Sequence, residues 1–572
     1  MKKIICVLLT AVLTLSAFGL CAGAADEGFK AYVATDTHYQ KVDSVTPDGN
    51  LYHPHGSLGK LDAVSPQILR QFLKEAAESD ADYVFISGDI TDKHSFLDGQ
   101  AVAAMFASFE DETGKQLFVI NGNHDVVTQG QASKSDIDAN TFKGLYHQFG
   151  YDEAIAVDED SCSYVAELKN GYRLLAIDSV EYGAAGHGKL SDKLLSWIET
   201  QVKSAKDDGK KLVAMMHHNL MDHFTMEGRL FEAFVLKNSA DVCRKFSEWG
   251  IRAVFTGHFH ANDVAVYEGK TNVYDIETTS LICYPLAYRE ATFTDEAIEL
   301  KRHIINRADL SGAPDGYLPE QTAIMNADLN TYAAGAMRDA VPGYVASFLT
   351  AQKIVSLLKL DADSDAAKAV ERLVPAVLAD FDKPIYGEGD TIESMAKAAD
   401  IELPASGYPT VNDLITVFIA AHAEGDEHYD KNSVEVRLLI GAMMSIFAGE
   451  AAGETESVRN ELTSGFFSAV GLKGLSGVSG LSELGGVLGD TDPVGAVTDL
   501  LLDAALEGVS VDKAPADNDV TLPGYANTSE DGVVLGILRK LVDFFKKFIR
   551  FLTILFADRI AQLEEIGLPK FG

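Results

Sequence analysis

Short apolar runs alternate with amphipathic stretches through the first half of the chain. Residues 30–35, 82–87, 116–120, 172–177, 211–216 and 251–255 each read as a buried strand. Between them the period turns helical. Ile68, Leu69, Phe72, Leu73 and Ala76 share one face of a helix, with Ser65 as its N-cap and Pro66 at its first position. Further helices are expected at 100–110, 191–205 and 240–249. Strands alternating with helices predict an α/β domain. Later runs at 263–266, 272–277, 288–293 and 298–304 are expected to complete a second sheet.

The pattern changes after about Asn306. Gly312, Pro314, Gly316 and Pro319 mark a linker. Helical periods follow at 344–359, 366–381, 411–423 and 433–448, so 320–511 reads as a helical domain behind a first domain at 26–306. The glycine- and leucine-rich stretch 472–489 fits no element. Residues 512–532, polar with Pro515 and Pro523, read as a linker. The tail 533–557 is a basic amphipathic helix, with Arg539, Lys540, Lys546, Lys547 and Arg550 set among Leu541, Phe544, Phe545 and Phe548. Docking on the acidic body is the preferred reading, ahead of a membrane-surface contact or self-association.

The amino terminus carries Lys2 and Lys3, an apolar run over 4–20 and Ala22-Gly23-Ala24, the pattern of a Sec signal peptide over 1–24. The expected product is bacterial, and secreted or attached to the cell envelope. Leu20 is too large to precede a lipidated Cys21. The net charge of −37 repels polyanions and argues against binding a nucleic-acid duplex. Cys162, Cys243 and Cys283 allow one disulfide at most and are too scattered for a zinc ribbon.

The chemistry collects where strands end. Asp36, His38, Asp89, Asn123, His217, His258 and His260 each follow an apolar run. They are oxygen and nitrogen donors without thiolate, which suits zinc, manganese or iron. Asp-x-His and His-x-His would place both ligands on one side of an extended segment. Seven ligands exceed one ion and suit two divalent ions about 3.5–4 Å apart that share a carboxylate. Gly122 is expected to let the backbone turn after its strand. His53, His55, His94 and His223 read as polar loop residues near the same edge. Residues 39–62 read as an insertion loop of lid-like length in which Tyr52 packs, and His422, Glu427 and His428 read as surface residues.

Taken together, Asp36-Thr37-His38, Gly88-Asp89-Ile90-Thr91-Asp92, Gly122-Asn123-His124-Asp125, His217 and Gly257-His258-Phe259-His260 resemble the calcineurin-like metallophosphoesterases. The resemblance covers roughly 29–305 and implies a four-layer α/β-β/α sandwich, here followed by a mainly helical region. It implies that Asp36, His38, Asp89 and His260 hold one metal, and that Asp89, Asn123, His217 and His258 hold the other. His217, the first residue after its strand, is preferred to His218. His124 is the implied proton donor to the leaving oxygen, with Asp125 orienting it. The implied reaction is hydrolysis of a small phosphodiester or nucleotide-like ester by a metal-bridging hydroxide. Asp92 stands where purple acid phosphatases carry tyrosine, which disfavours that branch. Two other readings are a non-catalytic binding protein on this fold and a scaffold tethered through its C-terminal helices.

Overall fold

A computed structural model describes residues 28–45, 59–130, 133, 136–224, 227–425, 427–430, 432–469 and 515–525. The signal peptide, His53, His55, Tyr52, the 472–489 stretch and the basic helix 533–557 lie outside the described residues.

The first sheet contains β1 (Phe29–Ala34), β2 (Tyr83–Ser87) and β3 (Gln116–Ile120) in parallel. The second begins with β4 (Ala154–Val157) and β5 (Tyr164–Glu167), two antiparallel strands on its edge. Its centre is β6 (Tyr172–Ile177), β7 (Lys211–Met216), β8 (Ala253–Thr256) and β10 (Val273–Glu277), all parallel, with β9 (Val264–Tyr267) antiparallel on the far side. β4 and β5 are absent from the expected set; they are only four residues each and flank the acidic turn at 158–160.

β11 (Ala287–Phe293) and β12 (Ala297–Ile304) correct a further expectation. β11 pairs antiparallel with β1 and β12 antiparallel with β11, so both extend the first sheet rather than the second. A hydrophobic period shows that a strand is buried but not which sheet it joins. The two sheets face each other through aromatic rings. Phe85 of the first lies 6.4 Å from Phe255 of the second, and Phe255 lies 6.1 Å from Phe293. Burying each such ring contributes about 1.5–3 kcal/mol.

Helices close both outer faces. α1 (Ser65–Glu78) and α2 (Phe96–Thr113) serve the first sheet, and a short α3 (Ala139–Leu145) follows. α4 (Asp192–Asp207) and α6 (Ser239–Trp249) cover the second, with a one-turn α5 (Glu227–Leu230) between them. The result is a four-layer α/β-β/α sandwich. Ser95 and Ser191 cap their helices through Asp98 and Leu194 N–H. Ser65 does not cap: a 3-10 turn at Asp62–Val64 precedes it, and its hydroxyl donates to Asp62 O while accepting from Gln40 N–H.

The remainder is helical. α7 (Pro319–Ala327) and α8 (Leu329–Phe348) are followed by α9 (Ala351–Leu357), α10 (Asp365–Asp380), α11 (Ile392–Ala398), α12 (Val411–Glu424), α13 (Val434–Glu450) and α14 (Glu456–Ala469). This part is not set apart by a free linker. Met325, Leu329 and Ala333 pack into the core of the sandwich, and Tyr284 of the sandwich packs against the helical core. The expected linker 512–532 also contains structure. β13 (Val520–Pro523) pairs antiparallel with β12 as an edge strand of the first sheet. Its Pro523 masks the strand in sequence, yet an edge position tolerates proline.

Candidate metal centre

All seven expected ligands follow the carboxyl ends of five strands. β1 leads to Asp36 and His38, β2 to Asp89, β3 to Asn123, β7 to His217, and β8 to His258 and His260. Because β1–β3 and β7–β8 belong to different sheets, the cluster forms only where the sandwich closes.

The local backbone is not extended, which corrects the alternation expected for Asp-x-His and His-x-His. Asp36, His38, Asp89, His258 and His260 have φ of 50°, 39°, 47°, 73° and 65°. Left-handed non-glycine residues cost on the order of 1 kcal/mol each. Backbone hydrogen bonds hold them there: Asp36 N–H to Gly88 O (3.0 Å), His38 N–H to Asp89 O (2.9 Å) and Gly257 N–H to His217 O (3.0 Å). Gly122 also acts differently from expectation. A Cβ on it would stand 2.1 Å from Asp89 Oδ1, so its value is close approach. Gly257 does the same for Asp36, whose Oδ2 would lie 2.5 Å from an added Cβ.

The donor atoms converge. His38 Nε2 lies 3.3 Å from His260 Nε2, which lies 3.0 Å from Asp36 Oδ1. His217 Nε2 lies 3.1 Å from Asp89 Oδ2, and His38 Nε2 lies 3.9 Å from the same oxygen. Donors held ~2.0–2.1 Å from one ion at ordinary coordination angles stand roughly 2.9–3.4 Å apart. Asp36, His38 and His260 form one group with donor atoms within 4.8 Å of one another, and Asp89, His217 and His258 form another. Asp89 also groups with His38 and His124. Asn123 Oδ1 is buried without a hydrogen-bond partner. Buried polar atoms are rarely left so, and a cation beside Asp89 and His217 would satisfy it.

Charge tells the same story. Burial opposes ionisation of Asp36 and Asp89, but the surrounding histidines outweigh it and hold both well below the usual carboxylate range. Burial and Lys60 push His38 down, yet Asp36, Asp92 and Asp89 raise it to about 9. Burial lowers His217, and Asp89 and Asp36 lift it to about 9. Burial and neighbouring histidines drive His258 well below its ordinary value. The buried carboxylates are thus balanced by imidazolium protons, which divalent cations displace on binding.

Around these ligands stand further groups, of which only Asp92 belongs to a motif. His38 Nδ1 faces Asp92 Oδ1 at 3.3 Å, and Lys60 Nζ reaches Asp92 Oδ1 at 3.4 Å. A carboxylate behind a ligating imidazole fixes its tautomer. Cys283 Sγ lies 3.4 Å from His260 Nδ1. Lys60 and Cys283 sit in a loop and before a turn, with no spacing to betray them. His217 Nδ1 donates to Ser87 O at 3.0 Å, turning Nε2 toward Asp89. His218 turns away, its Nδ1 2.8 Å from Ser179 Oγ, and belongs to none of the three groups.

His124 borders the cluster with its Nε2 3.9 Å from Asp89 Oδ2. Asp92 O accepts from its Nδ1 at 2.7 Å, and its backbone N–H donates to Asp89 Oδ1 at 2.8 Å. Burial pushes the ring down to about 4 despite Asp89, although its 36 % exposure lets solvent moderate that shift. Asp125 does not orient His124. Its carboxylate accepts from Gly122 N–H, Ile90 N–H and Thr91 N–H and hydroxyl, tying the β2 and β3 loops together.

Other histidines fall elsewhere. His223 is fully buried and paired with Asp263 and Asp275 at 3.0 and 3.2 Å. His94 donates its backbone N–H to His124 O. His422 and Glu427 are not free surface groups: they pair at 2.7 Å, and the His422 ring lies 5.5 Å from Phe259. Among the described residues, Cys162, Cys243 and Cys283 are buried free thiols.

Residues 29–262 match the family model described as calcineurin-like phosphoesterase. No curated protein matches the sequence. Among solved structures, the chain is similar to a dimetal phosphatase from Danio rerio, at 11 % identity and TM-score 0.37, over 49 % of this chain and 96 % of that one. It is also similar to a purple acid phosphatase from yellow lupin (Lupinus luteus) seeds, at 11 % identity and TM-score 0.33, over 49 % of this chain and 52 % of that one.

Proposed function

We propose that this chain, whose residues 29–262 match the calcineurin-like phosphoesterase family model, is an exported dimetal hydrolase of a small phosphodiester or nucleotide-like ester. The observation that carries the reading is the spacing at 3.0–3.3 Å of donor atoms on Asp36, Asp89, His38, His217 and His260, beside the unpartnered Asn123 Oδ1. The N-terminal lysines and apolar run support export.

Asp36, His38, Asp89 and His260 would hold one cation, and Asp89, Asn123, His217 and His258 the other, with manganese, zinc or iron suited to these donors. When bound, such a pair supplies an acidified water and neutralises charge at phosphorus. The chain's own groups do the rest. The His124 N–H on Asp89 Oδ1 leaves Oδ2 turned toward His217. Asp92 and Lys60 behind His38 keep its Nε2 facing the cluster. Asp92 O, accepting from Nδ1, aims His124 Nε2 inward. To give a proton to the leaving oxygen from Nε2 the ring must first be doubly protonated, which a bound anionic ester would favour over the free ring's value of about 4.

The test is turnover by the purified mature chain loaded with manganese or zinc. Bis-p-nitrophenyl phosphate would be compared with p-nitrophenyl phosphate, with Asp89→Ala and Asn123→Ala as controls. Diester turnover lost in both variants supports a diesterase. Monoester turnover alone redirects the reading to phosphatase or nucleotidase chemistry. Two bound metals without turnover of any ester favour the non-catalytic binding protein.

A further inference from the structure

A line of aromatic rings leaves the metal cluster in one direction. The ring of Phe234 lies 4.6 Å from that of the ligand candidate His258. Phe259, set between His258 and His260 in sequence, meets Phe234 edge-on at 4.9 Å and Phe231 at 5.1 Å. Phe348, the last residue of α8, meets Phe231 at 4.9 Å. Lys353 Nζ of α9 caps the line, 4.3 Å from the Phe348 centroid.

These rings differ from those of the core. Phe85 and Phe255, between the sheets, are 0 % exposed, whereas Phe231, Phe234, Phe259 and Phe348 are all only half-buried. Four contiguous phenyl rings left partly open beside a polar cluster mark a binding surface. The sandwich does not build this wall by itself, because Phe348 and Lys353 come from the helical region.

We propose that Phe231, Phe234, Phe259 and Phe348 form a subsite for a planar aromatic substituent of the phosphoester, aryl or nucleobase, whose phosphate lies at the metal cluster. The proposal rests on the phosphoesterase reading for the phosphate anchor. The rings already meet edge-to-face at centroid separations near 5 Å, so an aromatic guest continues their packing. A planar group loses little conformational freedom on binding, whereas an alkyl chain must be ordered. Lys353 places a positive charge at the outer end, favouring an anionic ligand on a chain of net charge −37. The helical region thereby acquires a function: it supplies the outer part of substrate recognition.

Calorimetric titration of the manganese-loaded full chain with phenylphosphonate and methylphosphonate tests this without turnover. The phenyl compound should bind about tenfold tighter or better, within the range seen for ring stacking. Phe348→Ala should reduce that ratio to about threefold or less. Phe348→Leu keeps the apolar volume, removes the π face and should lower the ratio too, which guards against misfolding of the alanine variant. Equal affinities in the wild type, an unchanged ratio in both variants, or no binding of either phosphonate would each overturn the subsite. Aryl preference without hydrolysis of any ester would remove the enzymatic reading and keep the subsite. Hydrolysis without aryl preference would do the reverse.

Discussion

Gly122 lies against Asp89 so closely that a single methyl group cannot fit between them. A Cβ on Gly122 would stand 2.1 Å from Asp89 Oδ1 and 2.5 Å from its backbone nitrogen. Gly122→Ala should therefore displace the Asp89 carboxylate. The expected result is a fall in bound metal from two ions to one or none, and a loss in kcat/KM of about 100-fold, the cost of misplacing a reacting group by ~1 Å. Overpacking would also cost about 1–3 kcal/mol of stability. Metal analysis of the folded variant beside its kinetics is the check.

Asp92 backs His38 through Nδ1 and is paired with Lys60. Asp92→Ala should weaken binding of the ion at His38 by about 10–100-fold, as loss of a supporting partner does. Titration with manganese should then show one weakened site and one close to the wild type.

Asp125 and His124 are neighbours with separable roles. Asp125→Ala removes the acceptor of three backbone N–H groups in a buried turn and should cost about 2–4 kcal/mol in chemical unfolding. His124→Ala should leave stability within about 1 kcal/mol and lower kcat by about 10²–10⁴-fold. Comparable stability losses in both variants would contradict this division.

Residues 515–525 return to the sandwich. Leu522 is 1 % exposed, Arg289 donates through its guanidinium to Asp517 O, and β13 covers the edge of β12. A chain ending at residue 511 should lose about 3–6 kcal/mol, from one buried leucine and the acceptor of a buried guanidinium. It should also aggregate through the bared edge. Thermal unfolding and light scattering of the truncated chain would show both.

His422 links stability to pH. Burial lowers it, but Glu427, Asp263 and Glu277 outweigh that and raise it from 6.5 to about 9. A folded value above the unfolded one means protonation stabilises the fold. That contribution is complete below pH 6.5 and fades as pH rises through about 9. His422→Gln should flatten the fall in Tm across this window. An unchanged slope would assign the pH dependence to other groups, such as Glu227, which burial raises to about 7.

The sequence by itself determined which residues are the candidates for the chemistry. An apolar run followed by Asp, His or Asn is local, and five such units in order are legible because each strand ends where its ligand begins. The same local logic located about half of the described helices and the change to a helical second half, although the expected 344–359 helix is broken after Phe348. Tertiary structure decided what those residues do together. The side chains of Asp36 and His38 converge through left-handed backbone held by the neighbouring loop, not through strand alternation. Asp125 serves two loops rather than the imidazole beside it. β11, β12 and β13 joined the first sheet, and Lys60 and Cys283 reached the cluster from segments without any motif. Burial period records that a residue faces inward. Which partner it meets depends on contacts between positions hundreds of residues apart, and those form only when the two sheets and the helical region close on one another.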